Sequence, residues 1–342
     1  MASSSTAAFR PRRLLITGAS SGIGRAAARR LAAQGHALTL FCSSQARCDQ
    51  TRVQLEKAGA APGSLTCLAV DLADLASVEA GCRRLLDQGA VFDALVLNAG
   101  QQRAGDATPV LSAQGLEITF AVNQLAHQLI ATRLLPLLAP AAEGVVVGRL
   151  VITASDVHNP ATGGGRVGQP AHLGNLAGLR RGPGFVMLDG SERFDGDKAY
   201  KDSKLCNVLL AREINLQQGG CLPVIAWSPG LVIPRSPDGF FRHNRRSNPL
   251  GMALFALVAR DLLRLTESVE RAGALLADLA VDARYAAPGF RYFSNQLVRP
   301  GLHRFGAVET SAAGADPAQA AALWQLSEGL IAEDAASRPA VA

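Results

Sequence analysis

Brief apolar runs and amphipathic stretches take turns along most of the chain. Leu14 to Thr17, Ala37 to Cys42, Leu65 to Val70, Ala94 to Leu97, Arg149 to Thr153 and Val224 to Trp227 read as short strands buried on both faces. Between them, 24–34, 46–58, 75–88, 112–138 and 198–218 place apolar residues at three- and four-residue spacing, the pattern of helices with one buried face. This β-α-β-α order predicts an α/β fold: a single Rossmann-type doubly wound parallel sheet with helices on both faces and right-handed crossovers. With no internal repeat and no linker, one domain is expected over 13–332, after a disordered tail at 1–12 and before a flexible C-terminus at 333–342.

Two stretches break the alternation. Asp156 to Gly196 holds ten glycines in forty-one residues with little periodicity, longer than loops in compact domains usually run. Ser228 to Arg246 is rich in proline and arginine and leads into an apolar helix from about Leu250 to Leu265. Both follow predicted strand ends, where open parallel sheets bind ligands, so 156–196 and 228–265 are expected to wall a substrate site. The apolar helix suits a cover over a hydrophobic substrate, a dimer face, a membrane-surface contact or a buried core helix.

Composition narrows the class. Hydrophobic residues make up 48% of the 342 and charged residues 18%, below the ~25% usual for soluble domains, which excludes a disordered chain. The net charge of +6 is modest and scattered, so no nucleic-acid partner is expected. Six cysteines without a CxxC pair and six histidines without ligand spacing give no metal site, and the thiols read as buried or partly buried groups of a cytoplasmic protein. No uninterrupted apolar run reaches 18 residues, so no membrane span is predicted.

Candidate chemistry begins directly after the first strand. Thr17-Gly18-Ala19-Ser20-Ser21-Gly22-Ile23-Gly24 leads into a helix, and such glycines let the backbone approach a pyrophosphate that the helix N-terminus favours. NAD sites commonly place a carboxylate after the second strand, whereas this chain has Cys42-Ser43-Ser44. With Arg25 and Arg47 within reach of a phosphate, NADPH/NADP+ is the expected cofactor. Tyr200 and Lys204 lie four residues apart on one helix face, where an ammonium would lower the phenol pKa and make it a usable acid or base. His158 and His172, in the glycine-rich loop, are read as exposed, and Cys206 as core packing.

Together with Asn98-Ala99-Gly100 after the fourth strand, Asn123 and Ser155, these motifs make the chain similar to the short-chain dehydrogenase/reductase family over roughly 12–330. The resemblance implies that Ser155 polarises the reacting group and Tyr200 exchanges the proton. It also implies that Lys204 tunes Tyr200 and binds the nicotinamide ribose, while Asn123 holds a relay water. Gly18, Ser20, Ser21, Gly22, Ile23, Gly24, Arg25, Ser43, Arg47, Asp71, Leu72, Asn98, Ala99, Gly100, Pro229 and Gly230 would line the cofactor, Asp71 and Leu72 at the adenine and Asn98 in a largely structural part. Homo-oligomers are common in the family.

Within it, Lys198-Ala199-Tyr200-Lys201-Asp202-Ser203-Lys204-Leu205-Cys206-Asn207, Asn175 to Leu179 and Leu323 to Glu328 resemble the light-dependent protochlorophyllide reductase branch. That branch reduces one carbon–carbon double bond of a bulky tetrapyrrole with NADPH. Departures fall at the pigment pocket: Gly100-Gln101-Gln102, Val157, Ser228 and Leu231 stand where the branch has Ala-Val-Tyr, threonine, tyrosine and cysteine. A light-independent carbonyl or alcohol oxidoreductase of retinol-dehydrogenase type is therefore the alternative, and a non-catalytic NADP-binding sensor or assembly protein a third reading.

Overall fold

The computed structural model describes residues 10–139, 148–236 and 239–337. Most of the expected N-terminal tail, and the chain end from 338, lie outside them. Eight strands form one sheet: β1 (Arg13–Thr17), β2 (Ala37–Cys42), β3 (Leu65–Ala69), β4 (Ala94–Leu97), β5 (Arg149–Thr153), β6 (Pro223–Ser228), β7 (Gly289–Arg299) and β8 (Leu302–Ala307). Their order is β3-β2-β1-β4-β5-β6-β7-β8, parallel throughout except for the antiparallel β7–β8 pair at the edge.

Alternate side chains of each inner strand feed two separate cores. Leu15, Leu95, Leu97, Leu150, Ile152 and Val224 point to one face, covered by α3 (Leu75–Asp87), α4 (118–134), α5 (Gly196–Gln217) and α8 (Pro317–Ser337). Leu14, Ile16, Leu40, Val96, Val151 and Trp227 point to the other, covered by α1 (Gly22–Ala33), α2 (Gln45–Lys57) and α7 (Val269–Val281). Unbroken apolar runs are needed because both faces are dry, and the expected doubly wound sheet is what forms. Order reverses between β1 and β4, the switch point at which such sheets leave a crevice.

The structure corrects the sequence reading at several places. The fourth helix begins at Ile118, not at 112, because Leu111 bridges to Glu117 and the Glu117 carboxylate accepts the Thr119 and Phe120 N–H groups as the helix cap. The helix after the proline-rich segment, α6 (Pro249–Ala256), continues in wider turns to Leu262 and is not a core element. Leu250 is 84% exposed and Leu254 62%. All six cysteines are free; five are buried, but Cys221 is exposed. No described helix is long and apolar enough to cross a membrane.

One buried cation braces the sheet against α7. The Arg149 side chain, on β5, donates from Nη1 to the carbonyls of Leu279 (3.1 Å) and Asp282 (2.8 Å) at the C-terminal end of that helix. Burial pulls its pKa down to about 10. Arg149→Met leaves both carbonyls without this donor and should cost roughly 2–4 kcal/mol of unfolding free energy, read by denaturant titration. An unchanged transition midpoint would show the brace to be inert.

Candidate active site

At the switch point the first turn is built around two glycines. Gly18 has φ +72°, and a Cβ there would sit 2.8 Å from the Ala99 Cα. Gly24 is packed against the Gly18 carbonyl and the Asn98 amide, so a side chain at either position would close the crevice. Gly22, also at positive φ, faces open space, and Ser21 precedes α1 without capping it through its side chain. The turn therefore presents N–H groups of a helix start to the crevice, which fits the expected pyrophosphate.

Thr17 ties this cradle to its surroundings. Its Oγ1 accepts the N–H groups of Asn98 (2.9 Å) and Ala99 (3.0 Å), so its own proton goes to His127 Nε2 at 3.2 Å. Asn98 donates from Nδ2 to the Thr17 carbonyl and accepts the Thr153 hydroxyl, a brace across β1, β4 and β5. Ala99 and Gly100 follow at the crevice floor. At the C-terminal edge of β2, Ser43 is exposed, and Ser44 caps α2. Arg25 and Arg47, in the first turns of α1 and α2, form no ion pair with another described residue. Beyond β3, Asp71 spends its carboxylate on the Ala73 N–H, while Leu72 is buried in the core.

The reactive groups converge at the end of β5. Ser155 lies close enough to Tyr200 to act on its phenol, and Lys204 Nζ lies 5.7 Å from the Tyr200 ring centre. Nζ donates to the Thr153 carbonyl (2.9 Å) and to Asn207 Oδ1 (3.1 Å). The expected acidic phenol is not what the free protein holds. Burial drives the Tyr200 pKa up, with Ser155 opposing, and pulls Lys204 down to about 7. In a dry crevice both neutral forms are favoured.

Asn123 occupies a π-turn, Ala121–Leu125, within α4. Its side chain is fully engaged: Oδ1 accepts the Gln101 N–H, and Nδ2 donates to the Gln101 carbonyl and Ser203 Oγ. Its backbone carbonyl accepts Asn207 Nδ2 at 2.6 Å. Pro229 and Gly230 border the crevice from β6; Gly230 has φ +76°, and Asn295 Nδ2 holds the Pro229 carbonyl.

Sequence reasoning missed several partners. His158 is buried, not exposed: its Nε2 accepts the Ser311 N–H, so Nδ1 donates to the Ser155 carbonyl at 2.7 Å. Asp156 accepts the hydroxyls of Tyr292 (2.9 Å) and Ser294 (2.6 Å), fixing the other side of Ser155 to β7. Phe240, from the proline-rich segment, packs on Tyr200 with ring centres 5.1 Å apart, and Phe241 packs edge-on against Phe240. His243 fastens this cover to the loop after β4, donating from Nε2 to Asp106 and accepting from Arg103 at Nδ1. The glycine-rich loop is held by two buried lysines of α5. Lys198 pairs with Asp189 and Asp202, and Lys201 donates to the carbonyls of Gly165, Val167 and Gln169. Among the described residues no cluster suits a metal ion, and His172 is exposed as expected.

Residues 12–161 match the family model for short chain dehydrogenase. The chain is 33% identical over 333 residues to protochlorophyllide reductase A, chloroplastic, of Oryza sativa subsp. japonica, covering 93% of this chain and 80% of that one. It is 32% identical to protochlorophyllide reductase of Avena sativa, covering 93% and 99%. Among solved structures, a short chain dehydrogenase from Burkholderia cenocepacia J2315 in complex with NADP superimposes with a TM-score of 0.56 at 22% identity, over 83% of this chain and 95% of that one, a likeness of fold.

Three buried histidines set an acid limit. Burial, foremost, drives His127 down to about 3 and also lowers His36 and His158. Their folded pKa values lie below the unfolded value near 6.5, so the unfolded chain binds the extra protons. The stability they confer is complete above about pH 6.5 and is lost as pH falls, by up to about 1.4 kcal/mol per pH unit for each. Denaturant unfolding between pH 7 and 5 should show this slope, and His127→Gln should reduce it by up to about 1.4 kcal/mol per pH unit; a variant with the full slope would refute the assignment.

Proposed function

Because the chain belongs to the short-chain dehydrogenase family and is similar to its protochlorophyllide reductase branch, we propose that it is an NADPH-dependent reductase of a bulky hydrophobic substrate. The observation that carries this reading is the meeting of Ser155, Tyr200 and Lys204 beside a glycine cradle at the switch point of the sheet. When bound, NADPH supplies the hydride. The turn at Gly18, Ser20, Ser21, Gly22, Ile23 and Gly24 would hold its pyrophosphate, and Arg25, Ser43 and Arg47 its 2′-phosphate. Asp71 and Leu72 would border the adenine, and Asn98, Ala99, Gly100, Pro229 and Gly230 the nicotinamide half.

Tyr200 is suited to the reductive direction. Burial keeps its phenol protonated at neutral pH, ready to be given to the substrate atom opposite the hydride acceptor. Ser155, held by His158 below and by Asp156 beside it, orients the reacting group. Two of the Lys204 donors are taken by protein acceptors, leaving the remaining direction for the ribose and for the phenolate that forms. The stretches 156–196 and 228–265 wall the substrate, and the exposed apolar face of α6 next to the cover suits a substrate delivered from a membrane surface.

Phe240 and Phe241 supply aromatic faces that a flat tetrapyrrole needs, which favours protochlorophyllide as substrate. The second reading, a light-independent carbonyl reductase, rests on Gln101, Gln102, Val157, Ser228 and Leu231, which put amides and small or aliphatic groups at the pocket. Purified protein with NADPH and protochlorophyllide should convert the pigment only under illumination. Pigment left unchanged in the light, with retinal-type aldehydes reduced in darkness, would establish the second reading.

Tyr200→Phe should lower turnover by roughly 10²–10⁴-fold while leaving NADPH affinity within about twofold. Arg47→Ala should weaken NADPH binding by about tenfold and leave NADH binding unchanged, since only the former carries the extra phosphate. Turnover that survived the tyrosine change, or NADH bound as tightly as NADPH, would reject the corresponding assignment.

A further inference from the structure

The carboxamide of Asn207 stands between two groups that define the catalytic centre. It lies one helical turn beyond Lys204 on α5 and is fully buried. Oδ1 accepts from Lys204 Nζ at 3.1 Å, and Nδ2 donates to the backbone carbonyl of Asn123 at 2.6 Å. That carbonyl sits in the π-turn of α4, where the wider winding carries backbone acceptors off the regular helical ladder. The side chain thus links the lysine to the backbone of Asn123, the position at which family resemblance alone would expect a water.

We propose that Asn207 is a positioning residue that replaces a relay water, fixing the Lys204 ammonium and closing the inner route by which its protons would reach solvent. An amide and a water differ in one respect here. Both accept from Nζ and donate to a carbonyl, but a water trades its protons with neighbouring waters, whereas a carboxamide keeps its N–H bonds. The inner side is dry: Asn123, His127 and Ser203 are fully buried. Asn123 spends its own amide on Gln101 and Ser203, and His127 accepts from Thr17 Oγ1 at Nε2, leaving its buried Nδ1 without a partner among the described residues. The proton that Tyr200 gives up is therefore replaced from the crevice side, past Phe240, rather than through the core.

The inference rests on the reductase reading, yet one of its tests needs no substrate. The chain has only four lysines, Lys57, Lys198, Lys201 and Lys204. With [13Cε]-lysine labelling, and Lys204→Met to assign the signal, NMR follows the ammonium of Lys204 directly. Wild type should titrate near 7, the value to which burial brings it. Asn207→Leu removes the acceptor without admitting water and should lower that midpoint by about one pH unit, a tenfold change in the protonation constant. Its kcat at pH 7.5 should drop about tenfold, with the alkaline limb of the pH profile moved to lower pH and the NADPH Kd within twofold. Asn207→Ala leaves room for a water and should recover at least half of the lost logarithmic rate.

A leucine variant with the wild-type midpoint and pH profile, or an alanine variant as impaired as the leucine one, overturns the proposal. Should Asn207→Leu fail to fold, Asn207→Val, smaller and equally unable to accept, carries the same comparison. Wild type that oxidises NADPH with neither pigments nor carbonyls defeats the reductase reading, while the lysine titration still decides what Asn207 does.

Discussion

The hydroxyl of Thr17 is the junction on which the site depends. A doubly wound sheet opens a crevice wherever strand order reverses, but the reversal alone does not hold its walls in register. Here one oxygen accepts two N–H groups from the β4 end and passes its proton to His127 on α4, so β1, β4 and the π-turn helix are locked at one point. The glycine turn begins at the next residue, and Lys204 is tied through Asn207 to the same helix. Cradle and catalytic groups therefore share one buried polar frame. Breaking any of its bonds is costly, because each group left unpaired carries the full cost of its desolvation.

Much of this was legible in the sequence, for physical reasons. Strands β1, β4, β5 and β6 were readable because both of their faces are dry and their apolar runs are unbroken; β3, at the sheet edge with Thr66 and Ala69 exposed, was readable from its apolar run alone. The glycine turn, Ser155, Tyr200 and Lys204 were readable because their spacing is tied to strand ends and helix faces. The β7–β8 hairpin was not. Its inner strand devotes Tyr292, Ser294 and Asn295 to the site, which dilutes the apolar signal, although Pro300-Gly301 between two alternating stretches was an available turn cue. The groups that hold His158 and Asp156 on either side of Ser155 come from remote positions, 311 and 292, and no local pattern announces a long-range hydrogen bond. Asn207 could be quoted as part of a motif, but its contact with the Asn123 carbonyl requires the π-turn, which no periodicity reveals.

Charge is distributed in a corresponding way. Burying a lysine costs several kcal/mol unless acceptors surround it, and α5 buries three. Lys198 and Lys201 are compensated by the loop they hold, so the glycine-rich segment gains fixed positions despite having little regular structure. Lys204 has only a carbonyl and an amide oxygen, the least compensated of the three and the one whose pKa falls to about 7. The helix thus separates two tasks that use the same side chain: full satisfaction for anchoring and partial satisfaction for chemistry.

Confining three of four lysines to one buried helix also determines how the molecule meets amine-reactive chemistry. Lys57 is the exposed one, and it lies at the C-terminal end of α2, which runs antiparallel to the strands and so ends at the edge of the sheet opposite the crevice. Apart from the α-amino group, a surface or label that couples to amines has that single side-chain handle. Protein immobilised through it stands with the crevice turned toward solution, and a dye placed there reports on rotation of the whole body without touching the cofactor cradle.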